Sequence, residues 1–476
     1  MSEDIKEKSI KGVLWSMIES FSLKFLQFII NVIMARLLLP EDYGVVALIM
    51  VFIAISQIFI DGGFATALVQ DKDKTERDYS TIFTFNILVS VICYLFLYVT
   101  APFISEFYNN DITIYLRVQS LVLIIYAFSA IHKVKLTVDV NFKEIAKVSL
   151  SAAFVSGTIG IIVAYMGYGV WALVVQALVA AITTTVILML KLRWKPICFF
   201  DKMSFRRLFP FGSRLLTANI IDCIYMNLYP IFVGKLYTPK DLGYFSRADQ
   251  FSALPGNTCA EIFMRVTYPV MSSVREEDKL VMIYRKFISL SSYLIFPILF
   301  IILVLAKPLI LILLTAKWIE IVLLMQILCC GYLLNHLSTI NRNLLYVKGR
   351  ADLALKLEVY KKVIATLILL ISVPFGLVGL CVGKAFYGLL AMVLNSWYTK
   401  SLINVSLMDQ FKDFTPSLLI GILSAVVALI PVIYFDNEWV QLSLGFIVYV
   451  AIYLLTSRLL RLRELNEIIA NVRNLR

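Results

Sequence analysis

The sequence predicts an all-α polytopic membrane protein: 14 transmembrane helices, two pseudo-symmetric six-helix lobes related as a parallel repeat, and two further helices at the C-terminal end. Three observations carry this. Of the 476 residues, 60% are hydrophobic and 16% charged, against about 45–50% and 25% in soluble domains. Apolar runs of about 20 residues, enough to cross roughly 30 Å of hydrocarbon, recur along the whole chain. A turn motif near residue 40 returns near residue 239.

Taken in order, the first span, 12–38, follows a polar start and contains Glu19 and Lys24. This is unlike the short apolar core of a cleaved secretory signal, so the span is expected to be retained. Spans 43–69, 79–104, 114–136, 147–166 and 169–190 complete the first lobe. Spans 208–234, 242–271, 284–305, 319–346, 353–373 and 377–399 form the second, and 414–434 and 440–457 follow it. Turn-rich connections separate them, among them Asn109-Asn110-Asp111 and Pro374-Phe375-Gly376. The apolar stretch 306–318 reads as a continuation or re-entrant piece of the ninth span.

The repeat is explicit in sequence. Arg36-Leu37-Leu38-Leu39-Pro40-Glu41-Asp42-Tyr43-Gly44 is matched by Lys235-Leu236-Tyr237-Thr238-Pro239-Lys240-Asp241-Leu242-Gly243 at an offset of 199, and Gly169-Val170-Trp171 by Gly376-Leu377-Val378 at 207. An even number of spans per copy gives both copies one orientation. The division expected is an N-lobe 1–195, a cytoplasmic amphipathic linker 196–207, a C-lobe 208–401, the last two spans within 402–457, and a basic tail 458–476.

The formal charge of +12 is mainly a topology signal. Loops on the side of the termini hold 32 Lys and Arg, the opposite loops 5, and such a bias places the rich side in the cytoplasm. Nucleic acid is therefore not an expected partner. Seven scattered cysteines without CxxC spacing and only two histidines leave little material for a disulfide framework, a metal site or His-based catalysis. No catalytic residue and no metal ligand is assigned.

Twelve charges remain inside the spans. At about 2.5–3.5 kcal/mol each on insertion scales, exposure to lipid would cost tens of kcal/mol, so they must face water or one another. Most fall on spans one, two, seven and eight, which suggests a net-positive polar cavity between the lobes. Lys24, Arg117, Arg214, Arg247, Arg265, Arg342 and Lys384 are the candidate substrate-binding cations; Glu19, Asp61, Asp222 and Glu261 are candidates for a coupling proton or sodium ion. Ser16, Ser20, Lys24, Gln27 and Asn31 form one helical stripe, and Glu261 and Arg265 are spaced as an i,i+4 pair. Snorkelling competes with binding for the arginines near span ends, and a buried ion pair that only fixes packing competes for Lys24, Lys384, Asp61 and Asp222. His336 reads as a hydrogen-bonded core histidine.

The stretch Ile60-Asp61-Gly62-Gly63-Phe64-Ala65-Thr66-Ala67-Leu68-Val69-Gln70, followed by Asp78-Tyr79-Ser80-Thr81-Ile82-Phe83, resembles the signature of polysaccharide transporter (Wzx-type) flippases of the multidrug/oligosaccharidyl-lipid/polysaccharide superfamily. The Pro40–Gly44 and Pro239–Phe245 turns and the Ser204–Phe209 linker are similar to that family as well. The resemblance implies export of an undecaprenyl-diphosphate-linked oligosaccharide across a bacterial cytoplasmic (inner) membrane for lipopolysaccharide, capsule or exopolysaccharide assembly. It further implies cytoplasmic termini, membrane lipids as surroundings, a polymerase and glycosyltransferases as pathway partners, and no cofactor beyond a coupling ion. A drug/cation antiporter of the superfamily would need an acidic cavity, and a membrane glycosyltransferase or polymerase would need a sizeable external loop; neither feature is present in the sequence.

Overall fold

The structure, a computed structural model, describes residues 22–71 and 73–474. Among these residues it is built of helices and connecting turns, with no strand. Helix α1 covers 22–37. Helices α2 (Pro40–Asp61) and α3 (Phe64–Gln70) are one apolar run broken at Gly62 and Gly63, whose φ of 54° and 71° are left-handed. Next come α4 (Glu76–Tyr108), α5 (Thr113–Gln119), α6 (Leu121–Val138), α7 (Phe142–Tyr165) and α8 (Val170–Leu192). Helices α9 (Lys202–Met226) and α10 (Leu228–Leu236) bend by 42° at their junction. They lead to α11 (Pro239–Ser272), α12 (Glu277–Val304), the short α13 (Ala306–Leu314), α14 (Ile321–Tyr332) and α15 (Asn335–Val347). The chain finishes with α16 (Ala351–Ser372), α17 (Gly376–Asn395), α18 (Thr399–Ile403), α19 (Leu407–Tyr434), α20 (Glu438–Leu459) and α21 (Arg463–Asn474).

Among the described residues, ten helical segments are long and apolar enough to cross a membrane, or eleven if the bent pair counts as one span. One of the ten, Ala351–Ile403, contains α16 and α17, which turn back on each other at Val373–Phe375. Helix α11 does not qualify, because Lys240, Asp241, Arg247, Asp249, Glu261 and Arg265 interrupt it. The 306–318 stretch is a separate helix and 3-10 turn with Trp318 fully buried.

Caps set the helix starts. Asp42 Oδ2 accepts from the Leu39 amide at 2.8 Å, Asp78 Oδ2 from the Thr75 amide at 2.7 Å, Asp241 Oδ2 from the Thr238 amide at 3.1 Å and Asp409 Oδ2 from the Ser406 amide at 3.0 Å. In the last two the preceding hydroxyl accepts in return from the Asp amide, at 3.2 Å in each, and completes a reciprocal box.

By packing, the chain divides at Gly243–Tyr244. In the first unit, α4, α6 and α9 enclose Phe64, Leu68, Ile82, Phe83, Ile131 and Leu208. The 196–201 stretch is docked there: the Ile197 amide donates to Ser80 Oγ and the Asp201 amide to Thr81 Oγ1, both at 3.0 Å. The residues from Lys202 on are already the first turns of α9. Within this unit the two copies of the turn motif meet. A Cβ at Gly44 would run into the carbonyl oxygen of Pro239, and one at Gly243 into that of Pro40, so backbone lies on backbone in both directions.

The second unit packs α12 against α14, α15, α19 and α20. Its buried polar groups are chained: Tyr284 donates to Asn341 Oδ1, Asn341 Nδ2 to Gln410 Oε1 at 3.1 Å, Gln410 Nε2 to Thr399 Oγ1 at 3.0 Å, and Thr399 to the Val405 carbonyl at 2.9 Å. Satisfying each group in turn is what permits amides to be buried so deeply.

Candidate functional site

Two helices of the second unit expose polar stripes at helical spacing. On α15 the stripe is Asn335, Ser338, Thr339 and Arg342; on α17 it is Lys384, Tyr387, Gly388, Ala391 and Asn395. Together with Tyr332 of α14 and Lys361 of α16, these residues line a cavity of about 250 Å³. Glycine makes the arrangement possible. A Cβ on Gly388 would collide with the carbonyl oxygen of Gly331, so α14 and α17 approach at backbone distance and bring Lys384 onto the cavity wall beside Tyr332.

Three cations thus share one cavity, each with a carboxylate partner. Lys384 Nζ lies 2.6 Å from Asp249 Oδ1, which also accepts from Tyr332 Oη at 2.9 Å. Lys384 further sits 5.3 Å from the centre of the Phe245 ring. Lys361 Nζ lies 2.6 Å from Glu358 Oε1, and Arg342 Nη1 is 3.5 Å from the same oxygen. Neither Asp249 nor Glu358 is among the residues that line the cavity; each touches it only through a paired cation. Ser338 Oγ is buried on the wall and has no hydrogen-bond partner among the described residues. The lining offers three positive charges, several hydroxyls and amides, and no carboxylate. That is the chemistry of an anionic, hydroxyl-rich ligand.

Arg342 also borders a second, more open cavity of about 500 Å³, shared with Arg265, Tyr268, Asn343, Tyr346 and Ala351. Asn343 is fixed there by Thr267 at 2.7 Å. Arg342 is therefore common to both cavities.

Of the cations expected from sequence, Arg342, Lys384 and Arg265 are brought together around these two cavities. Arg247 donates to Gln250 on its own helix. Arg117 belongs to the first unit, where Nε donates to the Tyr98 carbonyl at 3.1 Å and the guanidinium lies 4.3 Å from the centre of that ring, a packing role within its own bundle. Arg214 is exposed on α9 and Lys24 half-buried on α1. Among the acids, Asp61 ends α2 at the glycine break, hydrogen-bonded to Tyr126 with Lys133 nearby; Tyr126 in turn engages Gln57. Asp222 and Glu261 are exposed. Glu19, Ser16 and Ser20 lie outside the described residues.

Sequence reading missed two members, Glu358 and Lys361, the latter counted with the cytoplasmic loop charges; Asp249 was the twelfth charge counted inside the spans but was given no role. A signal for Lys361 existed. It stands on the stripe Leu357–Lys361–Ala365–Leu369, buried at intervals of four, so burial was readable from helical period.

A model of the polysaccharide biosynthesis protein family matches residues 33–323, more than half of the chain. The chain belongs to this family. Relatives within reach of the family include the teichuronic acid biosynthesis protein TuaB of Bacillus subtilis (strain 168), 23% identical over 89% of this chain and 89% of its own length. The lipopolysaccharide biosynthesis protein WzxC of Escherichia coli (strain K12) is 21% identical over 75% and 73%. The succinoglycan biosynthesis transport protein ExoT of Rhizobium meliloti (strain 1021) is 22% identical over 67% and 65%. In fold, this family member is similar to the lipid II flippase MurJ in an inward closed conformation, with a TM-score of 0.77 over 94% of this chain and 99% of that one at 16% identity. It is also similar to an inward-facing multidrug resistance MATE transporter of the MOP superfamily, with a TM-score of 0.63 over 80% and 94%, again at 16% identity.

Proposed function

We propose that this chain is a flippase that carries an undecaprenyl-diphosphate-linked oligosaccharide across the bacterial inner membrane for polysaccharide assembly. The observation that carries the reading is the cavity with Arg342, Lys361 and Lys384 on its wall and no carboxylate facing inward. Guanidinium and ammonium groups replace the hydration lost by a diphosphate, while Tyr332, Asn335, Ser338 and Tyr387 offer partners to sugar hydroxyls. The prenyl chain stays in lipid as the head group crosses. Family membership, the names of the relatives and the flippase-like fold support the same reading.

The finer layout is part of this proposal. Fourteen spans form an N-lobe (1–195) and a C-lobe (208–401) joined by the 196–207 linker; the last two spans (402–457) and the tail (458–476) follow, and both termini are cytoplasmic. Alternating access moves the head group. A proton or sodium ion drives the cycle through Asp61, whose carboxylate stands beside Tyr126 at a broken helix, with Glu19, Asp222 and Glu261 as further acidic candidates. Pathway glycosyltransferases supply the substrate and a polymerase consumes it; the chain itself makes and breaks no covalent bond. A cation-exporting antiporter is the weaker reading, because a wall lined by cations repels such cargo.

The test is reconstitution into proteoliposomes with a fluorescent lipid-linked oligosaccharide. Wild type moves the probe between leaflets, and Arg342→Ala with Lys384→Ala lowers the rate at least tenfold in normally inserted protein. Wild-type flipping by that double variant would sink the proposal.

A further inference from the structure

Each cation on the cavity wall is backed by a carboxylate that the cavity does not see, and this arrangement has a use beyond burial. Asp249 reaches Lys384 at 2.6 Å, and Glu358 reaches both Lys361 at 2.6 Å and Arg342 at 3.5 Å. Three cations acting alone on a diphosphate in a low-dielectric cavity would hold it too firmly to let go. Passage across a membrane requires binding strong enough to admit the ion and weak enough to release it. Two negative charges paired to the lining cations, and not themselves part of the lining, lower the field at the cavity without competing for its space.

We propose that Asp249 and Glu358 are counter-charges that set the release of the diphosphate head group, and that they confine tight binding to ligands with more than one negative charge. The inference rests on the flippase reading. Asp249 is the sharper case. Its Oδ1 accepts from both Lys384 and Tyr332, so the pair is held from two helices of the same unit, α14 and α17. A monophosphate meets a partly neutralised wall and gains little, whereas a diphosphate spans Lys384 and the Arg342–Lys361 pair together. The carboxylates thereby act through the cations; they are positioning residues for affinity and touch no ligand.

The experiment uses the full-length protein in detergent with geranylgeranyl diphosphate and geranylgeranyl monophosphate as probes, and the proteoliposome assay for turnover. Asp249→Asn keeps an oxygen for the Tyr332 hydroxyl and removes only the charge. It is expected to bind the diphosphate about tenfold more tightly, to bind the monophosphate measurably, and to lower KM and kcat together in flipping. Glu358→Gln shows the same direction at the other end of the cavity, and Asp249→Glu restores wild-type values. A purely structural carboxylate predicts the opposite, weaker diphosphate binding as Lys384 loses its place; that result, or unchanged affinity in Asp249→Asn and Glu358→Gln proteins assayed below their own melting temperatures, overturns the inference. Failure of wild type itself to bind the diphosphate overturns the flippase reading instead, so the two failures are distinguishable.

Discussion

Lys361 stands ten residues into α16, about 15 Å along its axis, and is only 5% exposed. A buried ammonium survives only with a partner, and Glu358 supplies it. Removing one member of such a pair leaves an uncompensated charge and costs about 3–5 kcal/mol, whereas replacing both costs far less. Lys361→Met with Glu358→Gln is therefore expected to melt close to wild type in detergent, and Glu358→Gln alone well below it; equal melting temperatures for the two would remove the burial argument. Charge counting overlooked Lys361 because it registers where a residue lies in sequence and ignores which way a helix face points. Arg214, Asp222 and Glu261, expected from their positions in apolar runs to face water or one another, are exposed. Arg342 and Lys384 drew notice in the sequence because each is a cation inside an apolar span.

At the scale of elements, the starts and stops were largely written in short polar motifs. Asp201 caps α9: the Ser204 hydroxyl donates to Oδ2 at 2.7 Å and the Ser204 amide at 3.1 Å. These bonds hold its carboxyl below the usual range. A folded-state value below the unfolded one means the cap contributes fully above the unfolded pKa and loses its contribution as pH falls through the lowered value. Hydrogen exchange in the first turn of α9 is thus expected to be insensitive to pH between 6 and 8 once the intrinsic rate is removed, to rise in Asp201→Ala, and to stay near wild type in Asp201→Asn. The break after Asp61 was less legible. Gly62-Gly63 stood in the quoted motif, but only the backbone shows that both glycines are left-handed and that a Cβ on Gly63 would strike the Gly212 carbonyl oxygen. Gly63→Ala is accordingly expected to lower the yield of folded protein, and normal yield with normal melting would show that α3 tolerates another path.

For the molecule as a whole, apolar runs marked the helices, and the expected span 242–271 falls within the 34-residue α11, although that helix is too polar to qualify as a crossing segment by composition. The Pro239–Gly243 turn marks its start as Pro40–Gly44 marks that of α2. Its polarity has a physical reason: Asp249 is neutralised by Lys384 and hydrogen-bonded to Tyr332, contacts between helices that no single-helix pattern reveals. Orientation is the prediction proper to this scale. A fluorescent protein fused after Arg476 should be bright, and a cysteine introduced at Asn110 should react with an impermeant thiol reagent added outside intact cells while one at Asp73 does not; labelling of Asp73→Cys alone would invert the topology.

The paired contact of Pro40 with Gly243 and of Pro239 with Gly44 is self-complementary, since each copy of the motif offers to the other what it receives. Self-complementary surfaces are those by which identical subunits associate around a two-fold axis. The same reciprocity makes the contact vulnerable from either side: a Cβ added at Gly44 or at Gly243 meets a carbonyl oxygen of the other turn, so one substitution parts both turns at once.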